Sequence, residues 1–268
     1  MFKYTRAVCR KIPRSIVSEG LRLEEPENPL DFSLATKQLE SYVQALREAG
    51  IEDITLLEAD ERVPDCVFVE DTAVVIGDTA LITNPGAEAR RAEVEVIHEH
   101  FKKEPDMQVI VMQGDAHADG GDVLFTGREI FVGLSTRTNK DGVESIREAF
   151  PAFPVHPIRV GDGTLHLKSL MSMAGHSTIV FGESCNAIAA KELVLSTATV
   201  HYDTITVPDD SAANCLFING VLVHRSAEEF PACADVFGVS VQVKKMVGLN
   251  MSELEKVDGA LTCCSLLY

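Results

Sequence analysis

Short apolar runs return about every 50 residues along this chain, and each opens on a polar residue capable of chemistry. Those residues are Asp65, Asp119, His166, Asn214 and Cys263. A period of that length marks a repeat architecture in which each unit is one supersecondary module. If equivalent positions of five modules face a common axis, a thiol, an imidazole and several carboxylates meet there.

Within a module the hydrophobic pattern predicts strand, tight turn, strand, helix and a further strand. The run CVFVEDTAVVIGDTALITNP gives two strands around Gly77-Asp78, ended by Pro85-Gly86. A helix over 87–103 and a strand over 108–112 follow. In the next module Gly127 and Arg128 form the turn, the helix covers 140–150 and the third strand 155–158. The third module carries a helix over 185–195 and a strand over 204–207. The fourth turns at Asn219-Gly220, the clearest hairpin signal in the chain, with a helix over 227–236 and a strand over 239–243. A fifth module begins at LTCCSLL, read as a short buried strand, and needs the N-terminal segment to complete it. That segment supplies a strand over 4–9, a helix over 34–49 ended by Gly50, and a strand over 54–57. Leu39, Tyr42, Val43 and Leu46 share one face of this helix. The polar 24–29 stretch, EEPENP, reads as a loop free to cover a site. No linker or charge block divides the chain, so the expectation is one domain over 1–268.

Composition narrows the function. The 268 residues, 46% hydrophobic, can bury a large core, and the formal net charge is -17. That charge argues against nucleic acid and suits a cationic ligand or plain solubility. Seven cysteines without a C-x-x-C pattern, mostly in apolar runs, read as free thiols of a reducing compartment. No secretion signal or membrane span is evident, so a cytoplasmic protein is expected.

Cys263 and His166 occupy corresponding places in their modules, and a thiol with an imidazole makes a nucleophile with its proton acceptor. If LTCCSLL is a strand, only one of Cys263 and Cys264 faces the axis, and parity does not say which. Asp119, in DGGD, could orient the imidazole. Asp65, Glu70 and Asp71 lie around CVFV, where acids are costly unless paired with a cation, as a guanidinium would provide. Arg90 and Arg137, otherwise ordinary surface arginines, could hold a carboxylate at the ligand's other end. His98 and His100 read as surface residues without a metal role.

The strings PDCVFVED, DGGDVLFTGRE-FVGLS-RTN, LHLKS--SMAG, TVPDD-AANC and MSELEKVDG-LTCCS resemble those of the dimethylarginine dimethylaminohydrolases, within the guanidino-modifying (pentein) superfamily. The resemblance runs over nearly the whole chain. It implies an α/β fold, a five-bladed pseudo-symmetric propeller of ββαβ modules around a central active site. It implies hydrolysis of N-omega-methylated L-arginine to L-citrulline and methylamine or dimethylamine, relieving inhibition of nitric oxide synthase where that enzyme is present. It assigns Cys263 as nucleophile, His166 as general acid and base and Asp119 as its orienting partner. Substrate contacts would come from Leu21, Asp65, Phe68, Glu70, Asp71, Arg90, Arg137, Ser169, Val257 and Asp258, with both arginines on the α-carboxylate. No cofactor or metal is implied, although zinc could inhibit by capturing Cys263. The partner implied is a small methylated arginine, not nucleic acid or membrane, with monomer and homodimer both compatible. An arginine deiminase, a non-catalytic protein of the same fold and a Cys-His protease are the competing readings.

Overall fold

The computed structural model of the chain describes residues 3–268. Strand β1 (Arg6–Arg10) runs parallel to β2 (Asp53–Leu57), with the helix Phe32–Glu48 between them in sequence. Four modules then repeat one order: an antiparallel pair, a helix, and a third strand parallel to the second. They are β3 (Ala73–Ile76), β4 (Thr79–Ile82) and β5 (Gln108–Val111), then β6 (Val123–Phe125), β7 (Ile130–Leu134) and β8 (Val155–Arg159). Next come β9 (Met171–Met173), β10 (Thr178–Phe181) and β11 (Asp203–Thr206), and then β12 (Leu216–Ile218), β13 (Val221–Arg225) and β14 (Lys245–Leu249). Finally β15 (Leu266–Leu267) pairs antiparallel with β1, so the fifth sheet, ordered β15-β1-β2, takes strands from both ends of the sequence. The expected α/β ring of five propeller-like modules is the observed architecture.

Local chemistry explains the element boundaries. Asn219 and Gly220 both adopt positive φ, 52° and 90°, the twist a two-residue hairpin requires. Asp31 caps the first long helix by accepting hydrogen bonds from the Ser33 and Leu34 amides, and Gly50 leaves that helix at φ 89°. Asn139 and Ser184 cap Lys140–Ala149 and Cys185–Thr197 in the same way. Apolar clusters are buried between neighbouring modules. Leu81 with Val132, Val143 and Ile146 belong to one such set; Phe131 with Phe181, Ala190 and Val194 belong to the next.

Four expected elements differ. The helix over 87–103 is a 3-10 segment, Glu88–Glu93, followed by an α-helix, Val94–Phe101. The tighter winding accompanies Arg90 turning inward to buried acids. The helix expected over 227–236 is Pro231–Ser240, set by a proline in its first turn, and the strand expected over 239–243 is Lys245–Leu249. The alternating valines of that region instead pack Val241 and Val243 around Phe237. LTCCSLL is mostly not a strand: Thr262–Cys264 form a 3-10 turn, and only Leu266–Leu267 pair.

Candidate active site

Each inner strand is preceded by a tight turn, and the five turns form a closed circle at one end of the ring. Val69–Thr72 packs against Gly120–Asp122 and Thr262–Cys264; Gly120–Asp122 packs against Leu167–Ser169; and Leu167–Ser169 packs against Asp210–Ala213. The circle closes where the Asn214 side chain meets Thr262 through two hydrogen bonds, of 3.0 and 2.9 Å. Residues remote in sequence are thereby brought within reach of one another. Asp119 and His166 each stand immediately before their turns. In the first module that place belongs to Phe68, and Asp65 lies earlier.

His166 Nε2 is 3.0 Å from Asp119 Oδ2 and 4.0 Å from Asp71 Oδ1. All three groups are buried. Asp119 is fixed by the Gly86 amide, which donates at 2.8 Å, and by Arg137 Nη1 at 3.3 Å. Asp71 accepts from the Gly121 amide at 2.9 Å and pairs with Arg90. Burial opposes charge on His166, but Asp71, the Asp119 hydrogen bond and Asp122 outweigh it and raise its pKa to about 9. Because this lies above the ordinary histidine value of about 6.5, the stability gained from the proton is complete below that pH. It is lost as pH rises through about 9. The cluster Asp71, Asp119 and His166 is also the set of donors close enough to hold a metal ion, all within 4.8 Å. A metal there would have to displace the imidazolium proton. Cys263, the residue zinc was expected to capture, is not among these donors.

Cys263 faces acids. Burial, then Glu70 and Asp71, hold its thiol well above the usual range. In the structure as it stands the sulfur is a neutral thiol and the imidazole carries the proton. Cys264 points into the core, fully buried, where Tyr42 and Cys9 are its neighbours.

The remaining expected residues fall into two groups. Leu21, Asp65, Phe68, Val257 and Asp258 lie together under the loop that follows the first strand. The Leu21 amide donates to Asp65 at 3.1 Å and the Leu23 amide to Asp258 at 2.6 Å. Asp258 adopts φ 57°, a left-handed conformation that aims its carboxylate at the loop. The Phe68 ring covers Gly259, and Val257 packs near Gly20. Ser169 accepts a 3.4 Å hydrogen bond from the His166 amide.

Others are placed differently from the expectation. Arg90 is no surface arginine: it is buried and committed to Asp71, to both oxygens of Glu93 and to the Phe68 carbonyl. Burying that charge requires such a carboxylate shell. Glu70 is occupied by Lys168 at 2.6 Å and Thr262 at 2.7 Å. Arg137 keeps an 18% exposed side chain, so it is the arginine open toward the pocket. His100, expected at the surface, is largely covered and bonds the Tyr268 hydroxyl at 2.9 Å.

Sequence reasoning gave no role to Asp122, Lys168 or Thr262, and marked Asn214 only as a repeat position. Asp122 accepts from the Leu167 amide, Ser135 and Thr138, tying the second module to the third. Its signal was present in DGGD: a carboxylate directly before VLF has no route to water. Gly121 has a further reason to be glycine, since a Cβ there would lie 2.4 Å from His166 Nδ1. We expect Gly121→Ala to cost roughly 100-fold in turnover, the order of effect of a 1 Å misplacement. An unchanged melting curve alongside lost activity checks that the change is local.

Comparison with known proteins agrees with this geometry. Residues 25–261 match the family described as "N,N dimethylarginine dimethylhydrolase, eukaryotic". The chain belongs to this family. It is 35% identical to the human protein named "Putative hydrolase DDAH2", over 98% of this chain and 94% of that protein. It is 30% identical to the N(G),N(G)-dimethylarginine dimethylaminohydrolase of Pseudomonas aeruginosa, over the full length of both. A mutant of DDAH from that organism, solved in complex with citrulline, superimposes with a TM-score of 0.85 over all of both chains at 26% identity. The N-terminal domain of the cyanobacterial arginine dihydrolase ArgZ shares the fold, with a TM-score of 0.83 at 16% identity, over 98% of this chain and 97% of that one. Among the described residues no helix is long and apolar enough to cross a membrane. Family membership and neighbours together make the chain a hydrolase of the pentein type.

Proposed function

We propose that this member of the family hydrolyses N-omega-methylated L-arginine to L-citrulline and methylamine or dimethylamine, with Cys263 as nucleophile. The observation that carries the reading is the protonated His166, held between Asp71 and Asp119, with Asp71 and Glu70 also acting on the buried Cys263 thiol. A guanidinium entering this pocket adds positive charge against those acids. It lowers the thiol pKa, and the sulfur proton leaves to solvent. The thiolate adds to the guanidinium carbon. His166, already charged, donates its proton to the departing alkylamine as the C–N bond breaks. A thiouronium remains on Cys263. His166, now neutral, takes a proton from water, and the resulting hydroxide displaces sulfur to release citrulline.

Substrate placement follows from how these groups lie around the turns of Cys263 and His166. Asp65 and Asp71 face the cation, and Leu21, Asp258 and the Val257 backbone cover the amino-acid end. Arg137, anchored on Asp119, receives the α-carboxylate, while Arg90 is committed to Asp71 and Glu93. Glu70 acts through Thr262 and Lys168. Arg137→Ala is expected to raise KM roughly 10- to 100-fold, the range of a lost charge-assisted hydrogen bond. The loss should vanish for a methylguanidine lacking the carboxylate; an equal loss with both substrates would remove this assignment.

The deciding experiment incubates the protein with asymmetric dimethylarginine and measures citrulline and dimethylamine together. Equimolar appearance supports the reading. Turnover of arginine with ammonia release, and none of the methylated substrate, would replace it with a deiminase; no product from either would leave a binding protein.

A further inference from the structure

The described structure has a cavity distinct from the pocket of Cys263 and His166. It is the channel down the axis of the ring, entered from the opposite end, with a volume of about 640 Å³. Its floor is the bonded trio Glu70, Lys168 and Thr262, which separates it from the catalytic turns. Its wall is made by the five inner strands, and their side chains follow a regular scheme. One incompletely buried apolar residue of each strand lines the channel, Val75, Phe125, Met173, Phe217 and Leu267, and all but Phe217 also pack against the apolar clusters. Other residues of the same strands are buried in the module cores. The strands span two to four residues, so the apolar sleeve is about 10 Å deep at ~3.3 Å per residue.

The rim has the opposite sign to the rest of the molecule. Arg128, Lys244 and Lys3 border the mouth of a chain whose net charge is -17. Glu70 is the sole carboxylate among the described lining residues, and Lys168 already neutralises it on the floor. Arg128 touches only Ser177 Oγ, at 3.4 Å, and Lys244 the Asn219 carbonyl, at 3.3 Å; neither has a carboxylate partner among the described residues. Lys3 is held more loosely by Glu52, at 3.6 Å. Arg128 and Lys244 above a channel of mixed polar and apolar lining form an amphipathic receptor: charge complementarity at the mouth and apolar area along the strands.

The geometry points to a second binding site in this channel for a medium-chain carboxylate. Its head group meets Arg128 and Lys244 at the rim, and its aliphatic tail lies along the five apolar residues down to the Glu70–Lys168 floor. A cation of the same length is rejected at the rim, and a compact inorganic anion gains nothing from the sleeve. This site is separate from the proposed reaction and stands or falls independently of it.

Titration calorimetry on the intact protein tests it, with octanoate, 1-octylamine and inorganic phosphate as probes. Saturable one-to-one binding of octanoate is expected, with far weaker binding of the other two. The double variant R128E/K244E should weaken octanoate at least roughly tenfold, the effect of losing a charge-assisted contact. Met173→Trp, which fills the sleeve without touching the rim, should weaken it as well, whereas Cys263→Ser should bind as the parent does. Circular dichroism of each variant establishes that it is folded, and the two channel variants act through different ends of the ligand. No saturable octanoate binding, equal binding of octylamine, or parental affinity in both channel variants would each overturn the assignment.

Discussion

Cys263→Ser is expected to abolish citrulline formation, whereas Cys264→Ser retains it. The neighbours differ in what surrounds them. Cys263 lies beside the carboxylates of Glu70 and Asp71, and Cys264 is enclosed with Tyr42 and Cys9. A hydroxyl is a far poorer nucleophile than a thiolate, and no base in this site is poised to deprotonate it. Turnover should fall by more than about 10⁴-fold, as when other enzymes lose a nucleophile. Cys264→Ser should instead lower stability by about 1–2 kcal/mol, because it brings a hydroxyl into an apolar cluster. Initial rates and thermal melts on the two variants separate the effects. Comparable activity of Cys263→Ser and the parent would dismiss the proposed chemistry.

Asp119→Asn should cost roughly 10²–10⁴ in turnover while leaving the fold intact. The carboxylate sits 3.0 Å from His166 Nε2 and helps hold the imidazole charged up to pH about 9. An amide offers no charge, so the imidazolium weakens and the general acid is lost at lower pH. The alkaline limb of the rate profile should therefore begin near 9 in the parent and move toward acid in the variant. A loss of rate with an unmoved limb would mean that Asp119 acts on geometry alone. Asp71 still faces the ring and limits the size of the displacement.

The repeat made much of this site visible before any coordinates. Asp119, His166 and Asp71 open or flank apolar runs, and an acid there has nowhere to go except toward the axis. The hairpins at Gly77 and Asn219 and the completion of the fifth sheet by β1 and β2 were equally legible, because turn residues and strand periods are local signals. Pairing was not. Nothing in the run around Arg90 announces that its guanidinium closes on Asp71 and Glu93, since the same residue types suit a solvated helix face. The parity argument for Cys263 and Cys264 left the choice open because it assumed an extended backbone. The 3-10 turn at Thr262–Cys264 directs successive side chains differently. The first module misled in another way: Phe68 takes the place that Asp119 and His166 occupy in theirs, so the spacing to Asp65 is irregular.

The pairing of β15 with β1 has a kinetic consequence. Contacts between segments so far apart along the polypeptide carry a high loop-closure cost and form late. The turn that bears Cys263 is fastened by that same strand pair. During refolding, native-like helix content should thus recover ahead of enzymatic competence. A partly assembled molecule would hold its imidazole and acids in near-final positions while the sulfur still wandered.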